Sequence, residues 1–119
     1  MSRRGFGSEG EHLVRDYLTG QGYKVLDMNY RRGPGEIDVV ARQGDTVVFI
    51  EVKRRTDARF GRPAEAVTPQ KRGRIVRTAL LYMQERRCDD APARFDVIEL
   101  TPGRINHIEG AFDASDVFF

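Results

Sequence analysis

Asp38, Glu51 and Lys53 are the residues whose types and spacing can do chemistry in this sequence. Glu51 directly follows Val47-Val48-Phe49-Ile50, an apolar run that reads as a central strand covered on both faces. A carboxylate on such a strand is costly to bury unless it is paired or bound to a metal. Side chains alternate along a strand, so Val47, Phe49, Glu51 and Lys53 share one face, and Glu36, Asp38 and Val40 share a face of the preceding run. Gln43-Gly44-Asp45 separates the two runs with hairpin chemistry, because glycine accepts positive φ. A two-residue Gly44-Asp45 turn pairs Gln43 with Thr46 and so places Asp38 opposite Glu51. A Gln43-Gly44 turn would bring Glu36 there instead. In either register two carboxylates face one another with Cβ atoms about 4.5–5.5 Å apart, and they repel unless a cation lies between them.

Oxygen ligands at this reach suit Mg²⁺ or Mn²⁺, which bind through one or two carboxylates and keep several waters. Lys53, two residues beyond Glu51 on the same face, can stabilise charge on an attacking water and on a phosphoryl transition state. The set implies metal-dependent phosphodiester hydrolysis. The plainer alternative is that Glu51-Val52-Lys53-Arg54-Arg55 is a solvated strand end with a cross-strand ion pair.

Other residues fall around this centre. Glu11 lies three positions after Ser8, where it can complete a capping box, and at the margin of an apolar stripe, where it can face the sheet and reach a metal. Gln70 and Lys71 occupy the first turn of a helix. A cation there opposes the helix dipole and makes more sense beside a phosphate or the carboxylate pair. Basic residues concentrate at Lys53, Arg54, Arg55, Arg59 and Arg62 and again at Lys71, Arg72, Arg74 and Arg77. Arg54, Arg55, Lys71 and Arg74 are therefore the candidates for contacting nucleic acid, although Arg74 and Arg77 also read as a solvated helix face. Of the 20 basic residues 17 are arginine, which suits bidentate phosphate contacts and equally fits a GC-rich coding sequence. His12 and His107 read as isolated surface residues.

The elements that must position these side chains are legible from periodicity. Ser8 can cap a helix with Leu13, Val14, Tyr17 and Leu18 on its apolar stripe, ended by Gly20 or Gly22. Tyr23 to Arg32 alternates as a strand, with Leu26, Met28 and Tyr30 on one side, up to the turn Gly33-Pro34-Gly35. Ile37 to Ala41 and Thr46 to Val52 are β-branched strands. Residues 56 to 67 read as a loop. Thr68-Pro69 opens a second helix with the stripe Ile75, Val76, Ala79, Leu80 and Met83. Phe95 to Leu100 and Arg104 to Glu109 are strands around the turn Thr101-Pro102-Gly103, and the tail from Gly110 carries no clear pattern. The order α, β, β, β, α, β, β predicts an α/β fold, a mixed sheet with flanking helices.

A chain of 119 residues that is 39% hydrophobic fits one domain, residues 1–119, with a modest core. No stretch approaches the roughly 18–20 apolar residues of a membrane span, and Met1-Ser2-Arg3-Arg4 does not open a signal peptide, so a soluble, cytoplasmic protein is expected. Cys88, the single cysteine, supports neither a disulfide framework nor a zinc site.

Gly35-Glu36-Ile37-Asp38 followed by Phe49-Ile50-Glu51-Val52-Lys53 resembles the PD-(D/E)XK motif of the restriction-endonuclease-like superfamily. The wider pattern resembles the YraN family of uncharacterised bacterial proteins, related to archaeal Holliday-junction resolvases. It comprises Gly7 to Glu11, Gly22-Tyr23, Phe60-Gly61, Pro63, Glu65-Ala66-Val67, Lys71 and Arg94-Phe95-Asp96. Ile37 stands where the superfamily's name has proline, a position that sets backbone course. The resemblance implies a restriction-endonuclease-like αβββαβ core. It implies Asp38 and Glu51 as Mg²⁺ or Mn²⁺ ligands with Val52 beside them at the metal, Lys53 as the catalytic cation, Glu11 as an outer ligand and Gln70 as a site residue. It further implies nucleic acid, DNA in particular, as partner, with a homodimer as in the resolvases and no small-molecule cofactor. Two functions compete: an endonuclease acting on structured or branched DNA, and a nucleic-acid-binding module that keeps the fold without cutting.

Overall fold

A computed structural model of the chain describes residues 7–55 and 67–114. The elements follow the expected order: α1 (Ser8–Gly20), β1 (Lys24–Arg32), β2 (Gly35–Gln43), β3 (Thr46–Arg54), α2 (Pro69–Glu85), β4 (Ala93–Thr101) and β5 (Arg104–Phe112). Of the loop expected over 56–67 only Val67, which is buried, is described; residues 56–66, with the basic residues Arg59 and Arg62 and the motif residues Phe60, Gly61, Pro63, Glu65 and Ala66, lie outside the described residues.

The five strands form one sheet in sequence order, antiparallel everywhere except between β3 and β4, which run parallel on either side of α2. A parallel neighbour requires a crossover, and α2 supplies it. The sheet is thus mixed, with a helix on each face, as expected and consistent with a restriction-endonuclease-like core. On one face Val14 and Leu18 of α1 pack with Val39, Ala41, Val48, Ile50 and Val52. On the other, Ile75, Val76, Ala79, Tyr82 and Met83 of α2 pack with Ile37, Val40, Phe49 and Val97. Covering on both sides explains why Val47 to Ile50 is apolar without alternation.

Several local expectations are corrected. The α1 helix begins at Ser8 itself: Gly7, at φ 92°, is the cap residue, no side chain caps the helix, and the capping box does not form. Leu13 lies outside the buried stripe, half exposed, and so does Leu80 of α2. The α2 stripe turns toward Tyr82, whose ring meets Tyr30 and Phe49 edge-on, and Leu80 falls beyond its edge. Leu26 and Tyr30 pack on the α2 side while Met28 packs on the α1 side. Strand β1 loses its alternation because the ladder slips between Val25 and Asp27 and because Asn29 takes a left-handed φ of 56°. Strand β5 continues past Glu109 to Phe112, through Gly110 at φ 61°.

His107 is not a surface residue. Its Nε2 lies 2.7 Å from Asp96 Oδ2, and its Nδ1 lies 2.8 Å from the Tyr17 hydroxyl. Asp96, fully buried, also accepts from Arg94 Nε and Nη2 at 2.9 Å each and from the Gly110 amide at 2.9 Å. Burial alone would raise its pKa, but His107, Arg94 and the Gly110 amide together hold the carboxyl below the usual carboxylate range. The Arg94-Phe95-Asp96 segment is therefore a structural polar network that pins β4 and β5 to α1.

One contact fixes α2 over the sheet. A Cβ added at Gly35 would fall 1.9 Å from Thr78 Oγ1 and 3.1 Å from Thr78 Cβ, so only glycine lets the helix approach β2 this closely. Gly35→Ala should lower stability by about 1–3 kcal/mol, as overpacking does. Thermal unfolding of Gly35→Ala and of the double variant Gly35→Ala/Thr78→Ala checks this: the second change should restore much of the lost Tm, and a double variant no better than the single one would refute the contact's role.

Candidate active site

The β2–β3 hairpin has the register that brings the acids together. Gln43 pairs with Thr46, and the ladder continues to Val39 opposite Ile50. Gly44 at φ 59° is the first of the two turn residues, so the Gly44-Asp45 turn is the one formed. The ladder stops one rung short of Asp38 and Glu51. There Asp38 turns into the gap, and its Oδ2 accepts from the Val52 amide at 2.8 Å. The main chain of β3 thereby holds the Asp38 carboxylate beside Glu51.

Asp38, Glu51, Val52, Lys71, Arg74, Glu36, Pro34 and Ile75 line one cleft of about 290 Å³ on the α2 side of the sheet. Glu51 is 6% exposed and forms an ion pair through its Oε2 with Lys71 Nζ, delivered by the first turn of α2. Thr68 Oγ1 caps that turn by accepting from the Lys71 amide at 3.2 Å. Glu51 Oε2 is itself buried, so its charge depends on Lys71 rather than on solvent. Burial first, and then the hydrogen bond and charge of Glu51, push Asp38 up to about 8; the Val52 amide opposes this. Burial and the neighbouring Lys71 cation lower the pKa of Lys53, against the pull of Glu51 and Asp38. Burial works to lower that of Lys71 as well, but Glu51 raises it overall. Two carboxylates and two ammonium groups thus share one small, partly desolvated volume.

These residues fit a divalent cation. Two neighbouring carboxylates, Glu51 buried and Asp38 with its carboxyl driven toward the neutral form by burial and by Glu51, are oxygen donors whose mutual repulsion a divalent cation would relieve. Among the described residues, no group of three or more His, Cys, Asp or Glu side chains is arranged to hold a metal. The protein's own share would be two carboxylates, the remaining positions going to water and substrate oxygen, as Mg²⁺ favours.

The other expected site residues are dispersed. Lys53 is not among the cleft-lining residues, yet it stays with the carboxylates, near enough to Lys71, Glu51 and Asp38 for their charges to act on its amine. Glu11 stands apart from the cleft lining and accepts from Asn29 Nδ2 at 2.9 Å. Gln70 is exposed and does not line the cleft. Val52 contributes its amide to Asp38, while its side chain joins the α1-side core. Arg74 lines the cleft beside Lys71, whereas Arg54 and Arg55 line a different groove with Leu13, Tyr17, Leu100 and Arg104. Arg55 Nε also binds Glu99 Oε2 at 2.8 Å. Glu99, fully buried and beside Lys53 in the parallel β3–β4 register, was not singled out from the sequence. The argument applied to Glu51, an acid inside an apolar strand, would have found it. Asn29 gave no comparable signal.

Residues 10–100 match the family model described as "Uncharacterised protein family UPF0102". The chain belongs to that family. It is 44% identical over 112 residues to the UPF0102 protein of Thermodesulfovibrio yellowstonii, covering 94% of this chain and 99% of the relative. It is 43% identical over 119 residues to that of Symbiobacterium thermophilum, covering 96% and 100%. Against the UPF0102 protein of Geobacter metallireducens it is 44% identical over 117 residues, covering 95% and 96%. UPF0102 is the YraN family that the extended motif pattern resembled.

The raised Asp38 pKa has a sign for stability. A carboxyl that holds its proton more tightly when folded stabilises the protein below its unfolded value, 3.8, and loses that contribution as pH rises through about 8. In EDTA, Asp38→Asn should therefore melt higher than the parent at pH 8, by roughly 5 °C, with the gap closing toward pH 5. A pH-independent gap between the two melting curves would contradict the assignment.

Proposed function

We propose that this protein is a Mg²⁺- or Mn²⁺-dependent nuclease that hydrolyses phosphodiester bonds in nucleic acid, with structured or branched DNA as the preferred substrate class. The observation that carries the proposal is the buried Asp38–Glu51 pair, whose charge the Lys71 ion pair and the Val52 amide offset in part. The preference for DNA junctions rests on the motif's resemblance to PD-(D/E)XK enzymes and to the archaeal resolvases. A symmetric pair of chains, as in those resolvases, would present two such sites.

Asp38 and Glu51 would hold the cation, and the Val52 amide keeps Asp38 in place for it. The cation, when bound, supplies Lewis acidity to a phosphodiester oxygen and makes a nearby water more acidic. Lys71 would exchange its contact with Glu51 for one with a phosphate oxygen. Arg74, on the same wall of the cleft, can bind the adjacent phosphate in bidentate fashion. Lys53, with a lowered pKa, gives up or takes a proton more readily than an ordinary lysine and can offset charge developing at phosphorus.

The test is a cleavage panel of flap, four-way junction, single-stranded DNA and RNA substrates in Mg²⁺ and Mn²⁺. The parent should cut at least one DNA substrate, EDTA should stop it, and Asp38→Ala, Glu51→Ala and Lys53→Ala should each reduce the rate on the order of 10²-fold or more while remaining folded. Metal-dependent binding with no cutting by the parent on any substrate would leave the non-catalytic module as the better description.

A further inference from the structure

We infer that Asn29 belongs to the divalent-cation site, contributing its side-chain amide oxygen as an acceptor for the hydrated ion, with Glu11 as the residue that fixes the amide's orientation. The inference rests on the cation site proposed above and adds to it a residue that neither the motif nor the family description assigns.

Three independent features meet at Asn29. Its backbone is left-handed, φ 56°, in the middle of a strand. Asparagine tolerates that region better than most residues, but a strand has no need of it, and such outliers gather where geometry serves a site. Its Nδ2 donates to Glu11 Oε2 at 2.9 Å. A carboxylate only accepts, so the amide nitrogen must face Glu11 and the amide oxygen must face away. That oxygen, Oδ1, is buried and has no hydrogen-bond partner among the described residues. A buried acceptor left without a donor calls for a water or an ion.

Its position selects which. The β1–β2 ladder pairs Met28 with Val39 and Tyr30 with Ile37, so Asn29 stands across from Asp38. Both strands change face at this rung: Met28 and Val39 pack on the α1 side, Tyr30 and Ile37 on the α2 side. The same rung is where β2 leaves its ladder with β3 so that Asp38 can meet the Val52 amide. The irregularity at Asn29 and the opening at Asp38 are thus one local feature. Through it, Glu11 on α1 is coupled to the carboxylates by way of Asn29 rather than by direct contact. Neither Glu11 nor Asn29 lines the cleft, so the amide oxygen would meet the ion through one of its waters rather than directly.

The experiment is Mn²⁺ titration of the full chain by calorimetry, with melting curves in EDTA and in Mn²⁺. Asn29→Gly removes the amide while keeping a residue at ease at φ 56°, and should weaken Mn²⁺ binding on the order of 10-fold, as loss of an outer-shell partner does. Its Tm in EDTA should stay near the parent's, while the Tm rise produced by Mn²⁺ shrinks. The exchange Asn29→Asp/Glu11→Gln, which swaps donor and acceptor but keeps an oxygen at position 29, should recover most of the affinity and serves as the reading if Asn29→Gly does not fold. Parent-like Mn²⁺ affinity in Asn29→Gly, with Asp38→Ala abolishing binding, would overturn the role of Asn29 and leave the carboxylate site standing. Absence of Mn²⁺ binding by the parent would remove both.

Discussion

The arrangement depends on an electrostatic conflict: a tight turn and a parallel neighbour strand force Asp38 and Glu51 together inside a sheet that has a helix on both faces. Neither carboxylate can retreat. Asp38 is tied to the Val52 amide, and Glu51 is held by a strand whose flanking residues are core. The protein meets the cost with Lys71 on Glu51 and by driving the Asp38 carboxyl toward its neutral form. Each remedy has a cost, since the ion pair draws Lys71 out of water and the neutral Asp38 gives up its proton only at raised pH.

The two faces of the sheet divide the work. On the α1 side, Asp96 is satisfied by four donors and joins β4 and β5 to Tyr17. On the α2 side, Glu51 lies beside Asp38 and depends on Lys71. Two buried acids on adjacent strands thus have opposite characters. A fully satisfied network rigidifies a fold, whereas a buried acid beside a second carboxylate is held at an electrostatic cost.

The hairpin register and the meeting of Asp38 with Glu51 were legible because they depend on a local turn and on strand periodicity. The Thr68-Pro69 start of α2 was legible for the same reason. The misplaced features depend on neighbours far away in sequence. His107 looked isolated because Asp96 and Tyr17 reach it from another strand and from a helix 90 residues earlier. Ser8 looked like a cap because serine is the usual choice, yet the chain enters the helix through Gly7. Arg54 and Arg55 looked like neighbours of Lys53, but Arg54 ends β3 and Arg55 lies beyond it, and both line the other groove. Asn29 was invisible because a left-handed residue inside a strand carries no periodic trace.

The close seat of α2 on Gly35 bears on how a cation could enter. With Thr78 against the Gly35 backbone, the helix cannot settle closer to β2, so this contact sets how near the backbone that launches Lys71 comes to Glu51. Anything that is to reach Glu51 from the cleft would have the flexible Lys71 arm to displace. Side-chain rotation of a half-exposed residue takes picoseconds to nanoseconds, against microseconds or longer for collective movements of elements. The contact that covers Glu51 can therefore open and close far faster than the elements around it can move.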